Sequence, residues 1–298
     1  MKTIPLFCLL VGGLYSQPAD PIPTVSAGRI ERWTQFKSQY VSARNIDVWL
    51  PPGYDGKDRC SVVYMHDGQM LFDGRMTWNK KAWHLAETVA ALIREGKIPD
   101  TIIVGIWSSQ QRHSEYFPVK ALEFVPEPMR SRFVKLVLSG KPQADNYLHF
   151  LVEELKPAID RTYATFPDRE HTAIIGSSMG GIISLYTICE YPKIFGGAGC
   201  LSTHWMGTME KNATFPLATF NYLQGHLPEP KTHRIYFDHG TMTLDALYAE
   251  SQAFADVLFK EQGYGEQNYQ SRTFPGDEHT EDAWGKRVSI PLVFLANR

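Results

Sequence analysis

The chain has 298 residues, 43% of them apolar and 21% charged, which excludes a disordered or low-complexity polypeptide and leaves room for one large core or two modest ones. Thirty Lys and Arg stand against 32 Asp and Glu, a net charge of −2. Without a cationic surplus, nucleic acid is excluded as the main partner; a globular enzyme is the first expectation.

In chain order, residues 1–16 (MKTIPLFCLLVGGLYS) carry one charge, Lys2, before an almost wholly apolar run from Ile4 to Tyr15. The run is shorter than the ~20 residues a membrane span needs. Its layout predicts a secretory signal cut near Ser16, hence a secreted or periplasmic mature chain with no integral membrane segment. The Pro-rich stretch 17–26 reads as a linker, and residues 27–298 as a single α/β domain.

Within that domain, 43–50 (ARNIDVWL) alternates and stops at Pro51-Pro52-Gly53, predicting a strand and turn. Residues 60–66 (CSVVYMH) predict a buried strand ending at Asp67-Gly68, 83–94 a helix, and 101–107 (TIIVGIW) another buried strand. The interval 108–145 is irregular, too long for an ordinary connection, and follows a core strand; it is a candidate lid or pocket wall. A helix over 147–163, kinked at Pro157, leads to strand 172–177 and the helix GGIISLYTICEY. Strands at 197–203, 234–240 and 269–274 and a helix at 244–263 complete the pattern. Strands alternating with helices predict a mostly parallel sheet with helices on both faces. Cys60, Cys189 and Cys200 each lie in an apolar stretch and are expected as buried free thiols; Cys189–Cys200 is the pair that oxidation would join. No C-x-x-C, H-E-x-x-H or close His pair is present, so neither metal nor cofactor is expected.

The chemical signal is Gly176-Ser177-Ser178-Met179-Gly180, a G-x-S-x-G motif between an expected strand and an expected helix. That setting is the sharp turn that presents a nucleophilic serine, here Ser178, at a helix N-terminus. Serine needs a base, and His279, in the loop after the last strand, is the candidate. The acid that orients an imidazole should follow strand 234–240. Asp245, beyond the strand end, is favoured for its reach; Asp238 is the alternative. The backbone amides of Met179 and Gln69, the latter in the turn after strand 60–66, are candidate oxyanion donors. From position alone, Arg112, Glu115, Tyr116, His204 and Trp205 are candidate pocket residues.

These residues resemble the putative-esterase branch of the α/β hydrolases, which includes esterase D-like and enterochelin-esterase-like proteins and the feruloyl and acetylxylan esterases of carbohydrate esterase family 1. The resemblance runs from VWLPPGY through HDGQMLFD, RHSEYFP, GSSMGGIISLY, CLSTHW and YFDHGTMTLDALY to PGDEHTEDAW, roughly residues 43–296. It implies the α/β-hydrolase fold and an ester hydrolase with Ser178 as nucleophile, His279 as base, Asp245 as acid, and Gln69 and Met179 at the oxyanion positions. The segment Gly240-Thr241-Met242-Thr243-Leu244-Asp245 departs from the family's usual sequence there, so the acid is the open member. The leading expectation is an exported serine esterase acting through an acyl-enzyme on feruloyl- or acetyl-type carbohydrate esters. A siderophore esterase or acyltransferase on the same fold, and a non-catalytic hydrolase-like binding protein, are the alternatives.

Overall fold

The structure is a computed structural model that describes residues 20–296; the expected signal and the first residues of the expected linker lie outside the described residues. Eight strands form one sheet: β1 (Arg29–Phe36), β2 (Arg44–Leu50), β3 (Ser61–His66), β4 (Thr101–Ile106), β5 (Thr172–Ser177), β6 (Gly197–Leu201), β7 (Arg234–Gly240) and β8 (Tyr269–Phe274). Their order is β1-β2-β4-β3-β5-β6-β7-β8. β1 and β2 pair antiparallel, as do β2 and β4; from β4 across to β8 every pairing is parallel.

The central strands read as unbroken apolar runs because both faces of the sheet are covered, and successive side chains leave on opposite faces. Val62, Tyr64, Ile102, Val104 and Ile174 join one core, and their neighbours Val63, Met65, Ile103, Ala173 and Ile175 the other. In chain order the helices are α1 (Leu85–Arg94), α2 (Arg112–Tyr116), α3 (Met129–Leu136), α4 (Ala144–His149), α5 (Lys156–Thr162), α6 (Met179–Glu190), α7 (Thr214–Gln224), α8 (Ala249–Glu261), α9 (Glu281–Arg287) and α10 (Ser289–Ala296). α4 to α8 cover the first face, with Ile182, Tyr186, Phe220 and Leu258 among their buried side chains. α1, α9 and α10 cover the second through Leu85, Val89, Trp284 and Leu292.

Where the pattern and the fold differ, the backbone gives the reason. The helix expected over 147–163 forms, but a π turn, Phe150–Leu155, joins α4 to α5; the looser turn sits where Pro157 has no amide to offer. The helix expected from 244 starts as a separate 3-10 turn, Thr243–Leu247, before α8. The strand expected to reach 203 ends at Leu201, and Ser202 turns at φ 43°. The interval 108–145 is packed rather than loose: Phe117, Phe133 and Phe215 of α7 form an aromatic knot with centroids 4.2–5.9 Å apart. Cys60, Cys189 and Cys200 are free and buried, so no Cys189–Cys200 bridge exists.

Candidate active site

The parallel strands end together, and the loops there enclose a cleft of about 580 Å³. Ser178 sits at its floor, between β5 and α6, at φ 56° and ψ −120°, a conformation that costs free energy for a residue with a Cβ. Its own amide is held by the Leu201 carbonyl at 2.9 Å. The bend is so tight that a Cβ on Gly176 would fall 2.6 Å from the Gly180 carbonyl, which explains one glycine of the motif. Met179 opens α6; a first-turn amide has no acceptor within its helix, and the helix dipole favours negative charge there.

Gln69 lies in a 3-10 turn, Gly68–Met70, entered through Asp67 in the left-handed region (φ 56°). Its amide is likewise an early one in its turn. The turn is pressed against β4: a Cβ on Gly68 would come within 2.5 Å of the Gly105 carbonyl carbon. Two clamps hold it. Arg112 binds both oxygens of Asp67 at 2.7 Å, and the Gln69 amide group exchanges hydrogen bonds with Ser108 at 2.6 and 3.1 Å. Burial pushes the Asp67 pKa up, but the Arg112 charge and the donors from Arg112 and Ser108 outweigh it and hold the carboxyl below its usual range.

His279 enters from the loop after β8. Its ring lies edge-on to Trp284 and Tyr248, 4.9 and 5.8 Å between centroids. Its backbone amide donates to the Thr243 hydroxyl at 2.9 Å, and its Nδ1 lies 2.5 Å from Asp245 Oδ1. The second Asp245 oxygen accepts from the Ser202 hydroxyl and the Gly240 amide, each at 2.6 Å. Burial raises the Asp245 pKa, yet the His279 bond and charge and these two donors prevail and hold it low. Of the two sequence candidates for the acid, then, Asp245 meets the imidazole. Asp238 is fully buried between Arg287 and the Tyr236 hydroxyl, both at 3.0 Å; burial pushes its pKa up.

Among the five candidate pocket residues, Arg112 lines the cleft. Three need correction. Glu115 is fully buried and binds Arg44 through two hydrogen bonds, 2.7 and 3.0 Å; Tyr116 is fully buried against His66 and Tyr147; Trp205 packs between Phe220 and Phe237. His204 is buried beside the serine: its amide donates to the Ser178 carbonyl at 3.1 Å, and its Nδ1 lies 2.8 Å from the Tyr248 hydroxyl. Burial, with the nearby His279, brings the His204 pKa down to about 4. Sequence reasoning missed the opposite wall, where Trp78, Asn79, Lys81 and Trp83 line the cleft. The signal was two tryptophans flanking a short polar run, TWNKKAW. Among the described residues no group of three or more His, Cys, Asp and Glu is placed to hold a metal ion, and no helix is long and apolar enough to cross a membrane.

An eight-stranded sheet of this order, with a strained serine between strand and helix and a histidine–aspartate pair after the last two strands, defines an α/β hydrolase. More closely, the chain belongs to the family described as Putative esterase, whose model matches residues 39–290. It is 26% identical over 164 residues to the uncharacterized protein YbbA of Bacillus subtilis, a match that spans 54% of this chain and 58% of that one. It is 26% identical over 183 residues to an endo-1,4-beta-xylanase/feruloyl esterase of Xylanibacter ruminicola, covering 60% of this chain and 22% of the other. In three dimensions it is similar to a ferulic acid esterase of Anaeromyces mucronatus, with a TM-score of 0.62 and 20% identity over 92% of this chain and 93% of that one.

Proposed function

We propose that this protein is a serine ester hydrolase that works through an acyl-enzyme on acyl esters of neutral carbohydrates. The observation that carries the reading is the convergence in one cleft of Ser178, held in its strained bend, with His279, whose Nδ1 lies 2.5 Å from Asp245. In that reading the ester carbonyl oxygen points at the Gln69 and Met179 amides, and the Ser178 hydroxyl attacks the carbonyl carbon as His279 Nε2 takes its proton. Asp245 accepts a hydrogen bond from the Nδ1–H and, remaining ionised, stabilises the imidazolium. The tetrahedral oxyanion, held by the two amides, collapses and expels the alcohol, which leaves with the proton from His279. Water then attacks the acyl-Ser178 ester by the same path, and the carboxylic acid departs.

The walls support the substrate class. The charged groups of the cleft are already engaged: Arg112 with Asp67 at 2.7 Å, Lys81 with Asp282 at 3.6 Å, Glu281 with the Asn79 amide at 2.8 Å. Among the described residues lining the cleft, each Lys and Arg thus has a carboxylate partner, which disfavours a polyanionic ligand such as a ferric siderophore. Trp78, 84% exposed at the rim, offers a flat apolar face among polar neighbours, which suits a sugar ring. The xylanase/feruloyl esterase relative points the same way, and the leader-like run at residues 1–16 supports action outside the cytoplasm.

Hydrolysis of a short-chain chromogenic ester tests the reaction: Ser178→Ala should lower kcat at least ~10³-fold, and full retained activity would refute the nucleophile. A panel of feruloylated and acetylated xylo-oligosaccharides against a cyclic tricatecholate lactone tests the substrate class. Preference for the lactone would favour the siderophore reading, and failure of a fluorophosphonate to label folded protein a non-catalytic one.

A further inference from the structure

Behind Asp245, on the side away from His279, lies a buried polar group that the reaction as drawn leaves unused. Ser202 is its hub. Its hydroxyl sits 2.6 Å from Asp245 Oδ2, 2.9 Å from Trp284 Nε1 and 2.9 Å from Arg287 Nη2. An indole N–H and a guanidinium can only donate. With both lone pairs of Ser202 so engaged, its single proton has one place to go, the Asp245 carboxylate. The Gly240 amide donates to the same oxygen. Oδ2 therefore has two donors aimed at it and no room for a proton, which leaves Oδ1 to His279.

Arg287 supplies the charge for this arrangement. Its side chain is 3% exposed; Nη2 also reaches Asp238 at 3.0 Å and lies 3.8 Å from Asp245, while Nη1 binds Asp277 at 2.8 Å. It belongs to α9, as does Trp284, and both follow His279 within a few residues. The groups facing Asp245 are thus His279, Ser202, the Gly240 amide, Arg287 and Tyr248, with Asp238, Tyr236 and Asp277 one contact further out around Arg287.

We propose that Arg287, together with Trp284, is a positioning residue that fixes the direction of the Ser202 proton and so holds Asp245 ionised with Oδ1 turned to His279. The inference rests on the esterase reading for its kinetic consequence but not for its structural one. Removing a cation raises the pKa of every neighbouring group, the Asp245–His279 pair included. Arg287→Met should therefore lower kcat about tenfold with KM for a small ester little changed, and shift the acidic limb of the rate profile up by roughly half a pH unit or more. Arg287→Lys, which keeps the charge, should hold the limb near its original place.

A purely structural role would lower the melting temperature without moving that limb. The low-field proton NMR signal of the His279–Asp245 bond gives a second readout that needs no turnover. It should weaken or vanish in Arg287→Met and in Ser202→Ala, and persist in Arg287→Lys. A folded Arg287→Met enzyme with the original limb and signal overturns the proposal. Should that variant fail to fold, Ser202→Ala, which buries no unpaired charge, decides alone: unaltered kcat and signal overturn it. If instead the unmutated protein hydrolyses no ester, the esterase reading fails while the NMR comparison still tests the relay.

Discussion

The two sides of the cleft hold their functional groups by different means. On the β3–β4 side, the candidate oxyanion donor is a backbone amide, placed by a glycine turn laid against the next strand and clamped from above by Arg112 on Asp67. On the β7–β8 side, the groups are side chains, and what places them is a buried hydrogen-bond network drawn from three separated segments, which supply Asp245, Ser202, and Trp284 with Arg287. A backbone donor cannot be mutated away, so the first side is vulnerable to a change of shape. The second is vulnerable to a change of one atom.

Asp245→Asn tests the second side most severely. The amide keeps the volume but turns one acceptor into a donor, against the Ser202 and Gly240 donors on one flank or against the histidine on the other. A fall in kcat of about 10³–10⁴-fold is expected, as for an imidazole held in the wrong tautomer. Asp238→Asn should fall far less, because Asp238 meets Arg287 and not His279; steady-state kinetics on the same ester compares the two, and equal losses would erase the distinction drawn here. Gly68→Ala tests the first side. Its Cβ would meet Gly105 backbone at 2.5 Å, so the turn must lift and carry the Gln69 amide with it. A loss of about 10²-fold in kcat, the scale of one oxyanion donor, is expected with KM nearly unchanged. Wild-type kcat would mean that Gln69 donates nothing.

The same difference decides how much was readable in advance. Strands β3 to β6 declare themselves because burial on both faces leaves no polar position inside the apolar run. Ser178 declares itself because the bend leaves its mark in glycine. Reach beyond the strand end and the family resemblance both favour Asp245 over Asp238, and it is Asp245 that lies 2.5 Å from His279 Nδ1. By contrast, β1 is a half-exposed edge strand with no alternation to see. The five-residue helix α2 turns Arg112 to the cleft and Glu115 and Tyr116 inward, and five residues are too few to show which face is which. Trp205 is buried by Phe220 and Phe237, partners brought to it only by the tertiary fold. Nothing in the local sequence singles out Arg287, because its partners Ser202, Asp238, Asp245 and Asp277 are all at least ten residues away along the chain.

A smaller effect, read by pH, is common to both sides. Each has a buried neutral histidine beneath it: His66, at the end of β3 under the glycine turn, and His204, beside Ser178. Burial brings His66 down to about 3, with Arg112 and Arg44 adding to it and Asp67 opposing; His204 stands at about 4. Both values lie below the ~6.5 of an exposed imidazole, so between those limits the unfolded chain binds protons that the folded one refuses. Stability should then be unaffected by these groups above about pH 6.5 and decline as pH falls towards 4, by up to ~1.4 kcal/mol per pH unit for each histidine. His66→Phe would leave the Tyr147 hydroxyl without its 2.9 Å partner, at a cost of about 1–3 kcal/mol at neutral pH. It should nevertheless flatten the decline by one proton, and denaturant titrations at pH 7.5, 6 and 5 would read the slope. A variant as steep as the parent would mean that His66 is charged in the folded protein. The space under the glycine turn would then hold a cation, and the backbone-held side of the cleft would depend on a side chain after all.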